Sequence, residues 1–165
     1  MNTNHYSREI YVFRINDTSH LGCLKVGKAS SENISKLEPN NSKNLNLAAK
    51  ERIKSYTQTA GIKFELLHTE VATWNDGEIK TTSVDNDVRE VLYRSGIKKK
   101  VFDTENKANE WVITDLETVK NAIKAKKHGF DSLNSNQISE NSNKIYNNSN
   151  KVYNNSRKLT NDLYE

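Results

Sequence analysis

The chain has 165 residues, of which 28% are charged and only 34% hydrophobic, and it carries a formal net charge of +4 at pH 7 with a pI near 9.0. That length suits one folded domain and excludes two of ordinary size, while the low apolar fraction places part of the chain outside any core. A single cysteine, Cys23, excludes an intramolecular disulfide. The polar start MNTNHYSRE and the lack of any apolar run of about 18 residues lead to the expectation of a cytoplasmic protein with no signal peptide and no membrane anchor.

In chain order, two apolar strands are expected at Ile10 to Ile15 and Leu21 to Val26, joined by the turn-rich Asn16-Asp17-Thr18-Ser19-His20 and closed by Gly27. Tyr11 on the first strand and Lys25 on the second would then lie side by side. Ser30 to Asn46 holds the one proline, Pro39, among Asn and Ser, and reads as a long surface loop. Leu47 to Ala60 predicts a helix capped by Asn46 and stopped at Gly61. Ile62, Phe64 and Leu66 alternate with polar residues as in a half-buried strand. Asn75-Asp76-Gly77 marks a turn, after which Ser83 or Asp85 caps a second helix through Ser95, with Val88, Val91 and Leu92 inward and Gly96 as its stop. Ile97 to Phe102 reads as a short basic edge strand and Glu110 to Ile113 as a further strand. Asp115 caps a last helix with Leu116, Val119 and Ile123 at core spacing, lysines at its C-terminal end and Gly129 beyond. The order is ββαβαβα.

From Asp131 the composition changes. Ten Asn and six Ser occupy the last 35 residues, a content that buries too little apolar surface to fold alone. The division expected is a domain over 1–130 and a low-complexity tail over 131–165. The tail repeats every seven residues, with Ile138, Ile145, Val152 and Leu159 in register. Only one position per heptad is aliphatic, so the tail is expected to be disordered, or helical on self-association. Residues 131–165 hold four cations and four anions, so the whole basic surplus lies in 1–130. A basic domain points to nucleic acid more than composition alone would.

The residues suited to phosphodiester hydrolysis come in a workable order. Tyr11 beside a cation has its phenolate favoured and could take a proton from water. Arg52 and Tyr56, four apart on one helix face, could clamp and orient a phosphate. Asp85, with Asp87 and Glu90 as alternatives, offers carboxylate oxygen to a hard cation such as Mg²⁺. Lys28, Lys98, Lys99 and Lys100 could neutralise neighbouring phosphates. His5, His20 and His68 have no ligand spacing with Cys23, which argues against zinc. Each residue also has an ordinary structural role open to it: Tyr11 as packing, Lys25 and Arg52 as solvated surface, Asp85 as a helix cap, Trp111 as core.

Residues 8 to 128 resemble the GIY-YIG endonuclease superfamily. The two strand motifs stand here as Glu9-Ile10-Tyr11 and Lys25-Val26-Gly27, followed by the helical Arg52-x-x-x-Tyr56, the acid-x-x-aliphatic segment Asp85 to Arg89, and Glu110-Trp111-Val112. The branch most similar has KIG or KVG as its second motif. The resemblance implies an α+β fold with a central three-stranded antiparallel sheet flanked by helices. It implies Tyr11 as general base, Lys25 in the place of a second tyrosine, Gly27 as a turn glycine, Arg52 and Tyr56 at the phosphate, and Asp85 holding Mg²⁺ or Mn²⁺. Four positions depart from the pattern: Glu9 replaces glycine, Lys25 replaces tyrosine, Asp85 replaces glutamate, and Arg89 replaces histidine. The expected function is a metal-dependent DNA endonuclease, and the alternative is a catalytically weak or inactive DNA-binding or tethering module on the same fold. No aromatic platform for single strands is recognisable.

Overall fold

Two long strands, β1 (Tyr6–Arg14) and β2 (Cys23–Glu32), pair antiparallel from Tyr6 opposite Glu32 to Phe13 opposite Lys25. The computed structural model describes residues 6–32, 34–80, 82–102, 110–142, 144–145 and 147–148. The second strand does not stop at Gly27 as its apolar pattern suggested. Pairing with β1 carries it through the polar Ser30 to Glu32, because the ladder satisfies its backbone and Ala29 is buried against the sheet's neighbour layer.

Alternation sends the two sets of side chains into two layers. Ile10, Val12, Leu24 and Val26 enter one core, and Tyr11, Phe13, Cys23 and Ala29 enter another. Helix α1 (Lys43–Thr57) covers the second layer through Ala49 and Ile53. It begins four residues earlier than its apolar pattern indicated, since Ser42 rather than Asn46 is the cap and its hydroxyl accepts from the Leu45 N–H at 3.2 Å. Asn46 bonds the Thr69 hydroxyl instead. Strand β3 (Glu65–Val71) pairs with the other side of β1.

A small hairpin of β4 (Thr73–Trp74) and β5 (Glu78–Ile79) turns at Asn75, Asp76 and Gly77, all with positive φ. Helices α2 (Val84–Arg94) and α3 (Leu116–Lys127) cover the first layer through Val88, Val91, Leu92, Val119, Ala122 and Ile123. The Asp115 carboxylate caps α3 as expected, accepting from the Thr118 N–H at 3.1 Å. Between the two helices come β6 (Lys98–Lys99) and β7 (Trp111–Ile113).

The main sheet has the order β3-β1-β2-β7-β6. It is antiparallel throughout and five-stranded, not three-stranded. The two extra strands are only two and three residues long. β7 pairs with β2 at Cys23 to Lys25, and just before β7 the Glu110 carbonyl accepts from the Val26 N–H at 3.3 Å.

Residues beyond 130 differ from a detached tail. Leu133 is buried in the core beside α2 and α3, and its N–H donates to the Ser95 hydroxyl. The Ser139 N–H donates to the Thr118 hydroxyl. The hydroxyls of Ser142 and Thr114 meet at 2.8 Å in a buried site. Ile138 packs on one core layer and Ile145 on the other. Short polar side chains thus anchor a segment whose apolar content alone would not hold it. Residues 149–165, with Val152 and Leu159, lie outside the described residues. Among the described residues no helix is long and apolar enough to cross a membrane.

Candidate active site

Gly27 stands directly opposite Tyr11 in the middle of β2, not in a turn. The turn role expected of it is therefore corrected: its backbone is ordinary strand, and what matters is the missing side chain. A Cβ at this position would overlap the Cε2, Cζ and hydroxyl of Tyr11. The ring lies across Gly27, its body buried against Phe13 at 5.9 Å between centroids. Gly27→Ala is expected to force the ring aside, destabilising by about 1–3 kcal/mol and displacing the hydroxyl by an ångström or so, which would lower any activity that uses it by about a hundredfold. Chemical denaturation and an activity assay on the same preparation check both numbers.

Three elements send side chains toward this hydroxyl. From α1, the Tyr56 hydroxyl lies 3.1 Å from that of Tyr11. One turn earlier, the Arg52 guanidinium stands 5.9 Å from the Tyr56 ring centre. From β2, Lys25 lies opposite Phe13 rather than Tyr11, and its ammonium sits over the Tyr56 ring, 4.0 Å from the centre. From the start of α2, Asp85 is buried and acts on Tyr11 electrostatically. The expected quartet of Tyr11, Lys25, Arg52 and Tyr56 thus shares one cleft with Asp85.

Two further charged groups complete it. Glu110, just before β7, holds Lys25 at 3.1 Å. Arg89, one helical turn after Asp85, donates through Nη1 to the Val26 carbonyl at 2.8 Å and to Asp85 Oδ2 at 3.1 Å. Val26 lies one residue past the part of β2 that pairs with β7. Glu110 was named in the sequence only as part of Glu110-Trp111-Val112, and its place beside Lys25 follows from the pairing of Trp111 with Lys25 across the ladder.

Lys25, Arg52 and Arg89 against Asp85 and Glu110 give the cleft one net positive charge. The surroundings also set the proton affinities. Burial pushes the Tyr11 phenol upward, with Glu110 and Asp85 adding to the shift and Tyr56 and Arg52 opposing it. This reverses the expectation that neighbouring cations would favour its phenolate, because burial outweighs them. The Tyr56 phenol is pushed up as well, by burial and by its bond to Tyr11. Either hydroxyl can be the donor in the pair, and burial raises both phenols. Burial lowers Lys25; Glu110 opposes this, and Arg52 and Arg89 add to the lowering.

The other expected residues are placed elsewhere. Asp87 accepts from the Trp74 indole N–H at 2.8 Å, and Glu90 meets Arg94 at 3.8 Å, so neither joins Tyr11. Lys28 is exposed and, one residue past Gly27, alternates to the opposite face of the sheet. Lys98 and Lys99 are exposed on β6, two strands from β2 and so roughly 10 Å away. Lys100 follows them, half-buried, its N–H donating to the Trp111 carbonyl. A separate cavity of about 650 Å³ at the β1–β2 turn, with Arg14, Asp17, His20 and Asp115 in its lining, shares none of the cleft residues.

The surroundings of Asp85 do not fit a bound divalent ion as they stand. Its Oδ2 is occupied by Arg89, and a dication on the same carboxylate would sit within about 5 Å of a fixed guanidinium, a repulsion of several kcal/mol even at an effective dielectric constant near 20. Among the described residues no three His, Cys, Asp or Glu side chains converge on one point.

No protein-family model, curated protein or solved structure matches this chain. A functional reading therefore rests on the chemistry of the cleft.

Proposed function

We propose that this chain is a DNA endonuclease that hydrolyses phosphodiester bonds with a GIY-YIG-type constellation. The observation that supports it best is the convergence of Tyr11, Tyr56, Lys25 and Arg52 from β1, α1 and β2 on a cleft of net positive charge. Two hydrogen-bonded phenols beside an ammonium and a guanidinium suit a phosphate with water next to it.

In the proposed reaction Arg52 binds a non-bridging phosphate oxygen. Tyr56 donates to the Tyr11 oxygen and so favours its ionised form, which takes the proton from an attacking water. The water oxygen forms the new bond to phosphorus as the bond to the 3′ oxygen breaks, and the departing oxyanion takes a proton from solvent. Lys25, steadied by Glu110 and by the Tyr56 ring, neutralises charge that builds on the phosphate. Lys98 and Lys99 meet phosphates further along the duplex.

Nicking of supercoiled plasmid by the full chain, compared with Arg52→Ala, tests this. The expected result is nicking by the wild type and a loss of about a hundredfold in Arg52→Ala, in the range of one removed transition-state donor. Salt-sensitive DNA binding without nicking would replace the reading with the DNA-binding or tethering module, which the pairing of Asp85 with Arg89 favours. The absence of both overturns the nucleic-acid reading.

A further inference from the structure

We infer that Arg89 supplies the fixed positive charge on the Asp85 side of the cleft, so that cleavage by this chain proceeds without a divalent ion. The inference rests on the nuclease reading and concerns how the same site stabilises a phosphate in transition.

Three observations carry it. Arg89 is buried, with 7% of its surface exposed, so its direction is set by its partners and not by solvent. Those partners are the Val26 carbonyl at 2.8 Å and Asp85 Oδ2 at 3.1 Å, both met by the one nitrogen Nη1. Val26 precedes Gly27, over which the Tyr11 ring lies, so the guanidinium is pinned beside the strand residue that seats the general base.

The chemistry follows from the side chain. A guanidinium stays charged at any pH of interest and presents five N–H donors in a rigid fork that matches phosphate oxygens. With Nη1 committed to the protein, the rest of the fork is the part that meets the phosphate. Arg89 makes and breaks no covalent bond; it neutralises charge while water replaces the 3′ oxygen at phosphorus. In this arrangement Asp85 is the anchor of Arg89 and serves as a positioning residue, and the shorter carboxylate is no handicap because it need only reach one turn along its own helix.

The test is plasmid nicking by the full chain in EDTA, in Mg²⁺ and in Mn²⁺, together with a calorimetric titration of the full chain with Mn²⁺. The expected results are wild-type nicking within about twofold in all three conditions and no saturable Mn²⁺ uptake. Arg89→Ala is expected to lose about a hundredfold in EDTA, and to take up Mn²⁺ on the freed Asp85. Wild-type nicking that vanishes in EDTA and returns with Mg²⁺ overturns this inference and leaves the nuclease reading standing. Saturable Mn²⁺ binding that Asp85→Asn removes from the wild type overturns it as well. No nicking in any condition overturns the nuclease reading, and this inference with it.

Discussion

Tyr11→Phe is expected to lower cleavage by roughly 10²–10⁴ while leaving DNA affinity nearly unchanged, since the phenol acts on the water more than on the bound phosphate. The substitution keeps the ring that lies over Gly27 and against Phe13 and removes only the hydroxyl that meets Tyr56 at 3.1 Å. Its pH dependence is the sharper signature. Burial raises the Tyr11 phenol above its ordinary 10.0, so near neutrality only a small fraction is in the basic form. The wild-type rate should therefore climb about tenfold per unit between roughly pH 7 and 9. Lys25, whose proton affinity burial lowers, then loses its charge sooner than an ordinary lysine and bends the profile downward. A single-turnover pH series decides the matter: a wild-type rate flat over that window, or Tyr11→Phe with wild-type rates, removes Tyr11 as the base.

The largest stability effect belongs to Glu9. Its side chain is 1% exposed on β1, neither carboxylate oxygen has a hydrogen-bond partner, and burial raises its pKa to about 8. The folded state holds the proton that the unfolded state releases from about pH 4.5 upward. Stability is thus undiminished below that point, falls as pH rises, and stops falling above about 8. Over that interval the loss is on the order of 5 kcal/mol, at 1.36 kcal/mol per unit. Glu9→Leu should remove the slope and gain about that much at pH 8.5, with a far smaller gain at pH 4.5. Urea unfolding of both proteins at the two pH values measures it, and equal wild-type stabilities at pH 4.5 and 8.5 would show that Glu9 does not hold its proton on folding. Glu9→Gln, which keeps the shape and cannot ionise, should be flat with pH.

Much of this architecture was legible in the residues. The period-2 runs placed β1, β2 and β3, the Asp115 cap placed α3, and the spacing of Val88, Val91 and Leu92 placed the buried face of α2. Boundaries failed where hydrogen bonds and not apolar area decide them. Ser30 to Glu32 look like loop but complete a ladder, and Leu133 to Ser142 look like low-complexity tail but are held by hydroxyls and backbone N–H groups. Strands were also expected at Ile97 to Phe102 and Glu110 to Ile113, where β6 and β7 lie, but such short segments do not show that they join the central sheet and widen it to five strands. In the cleft, Tyr11, Lys25, Arg52, Tyr56 and Asp85 were all named from spacing and resemblance and are gathered together. What spacing could not convey was direction. Nothing in the order of residues says that Asp87 turns to Trp74, that Lys28 faces away, or that burial outweighs the cations around Tyr11. The reason for Gly27 was equally hidden, because it depends on which residue stands across the ladder.

The two tryptophans divide the molecule optically. Trp111 lies opposite Lys25 on the strand beside Glu110 and stacks edge-on to Phe13 at 5.5 Å, while Trp74 is tied to Asp87 beneath α2. Both indoles are buried, so both change emission on unfolding, but it is Trp111 that stands beside Lys25 and Phe13. In Trp74→Phe the remaining emitter would report occupancy of the cleft by a nucleic acid without any label, separating binding from chemistry in one cuvette.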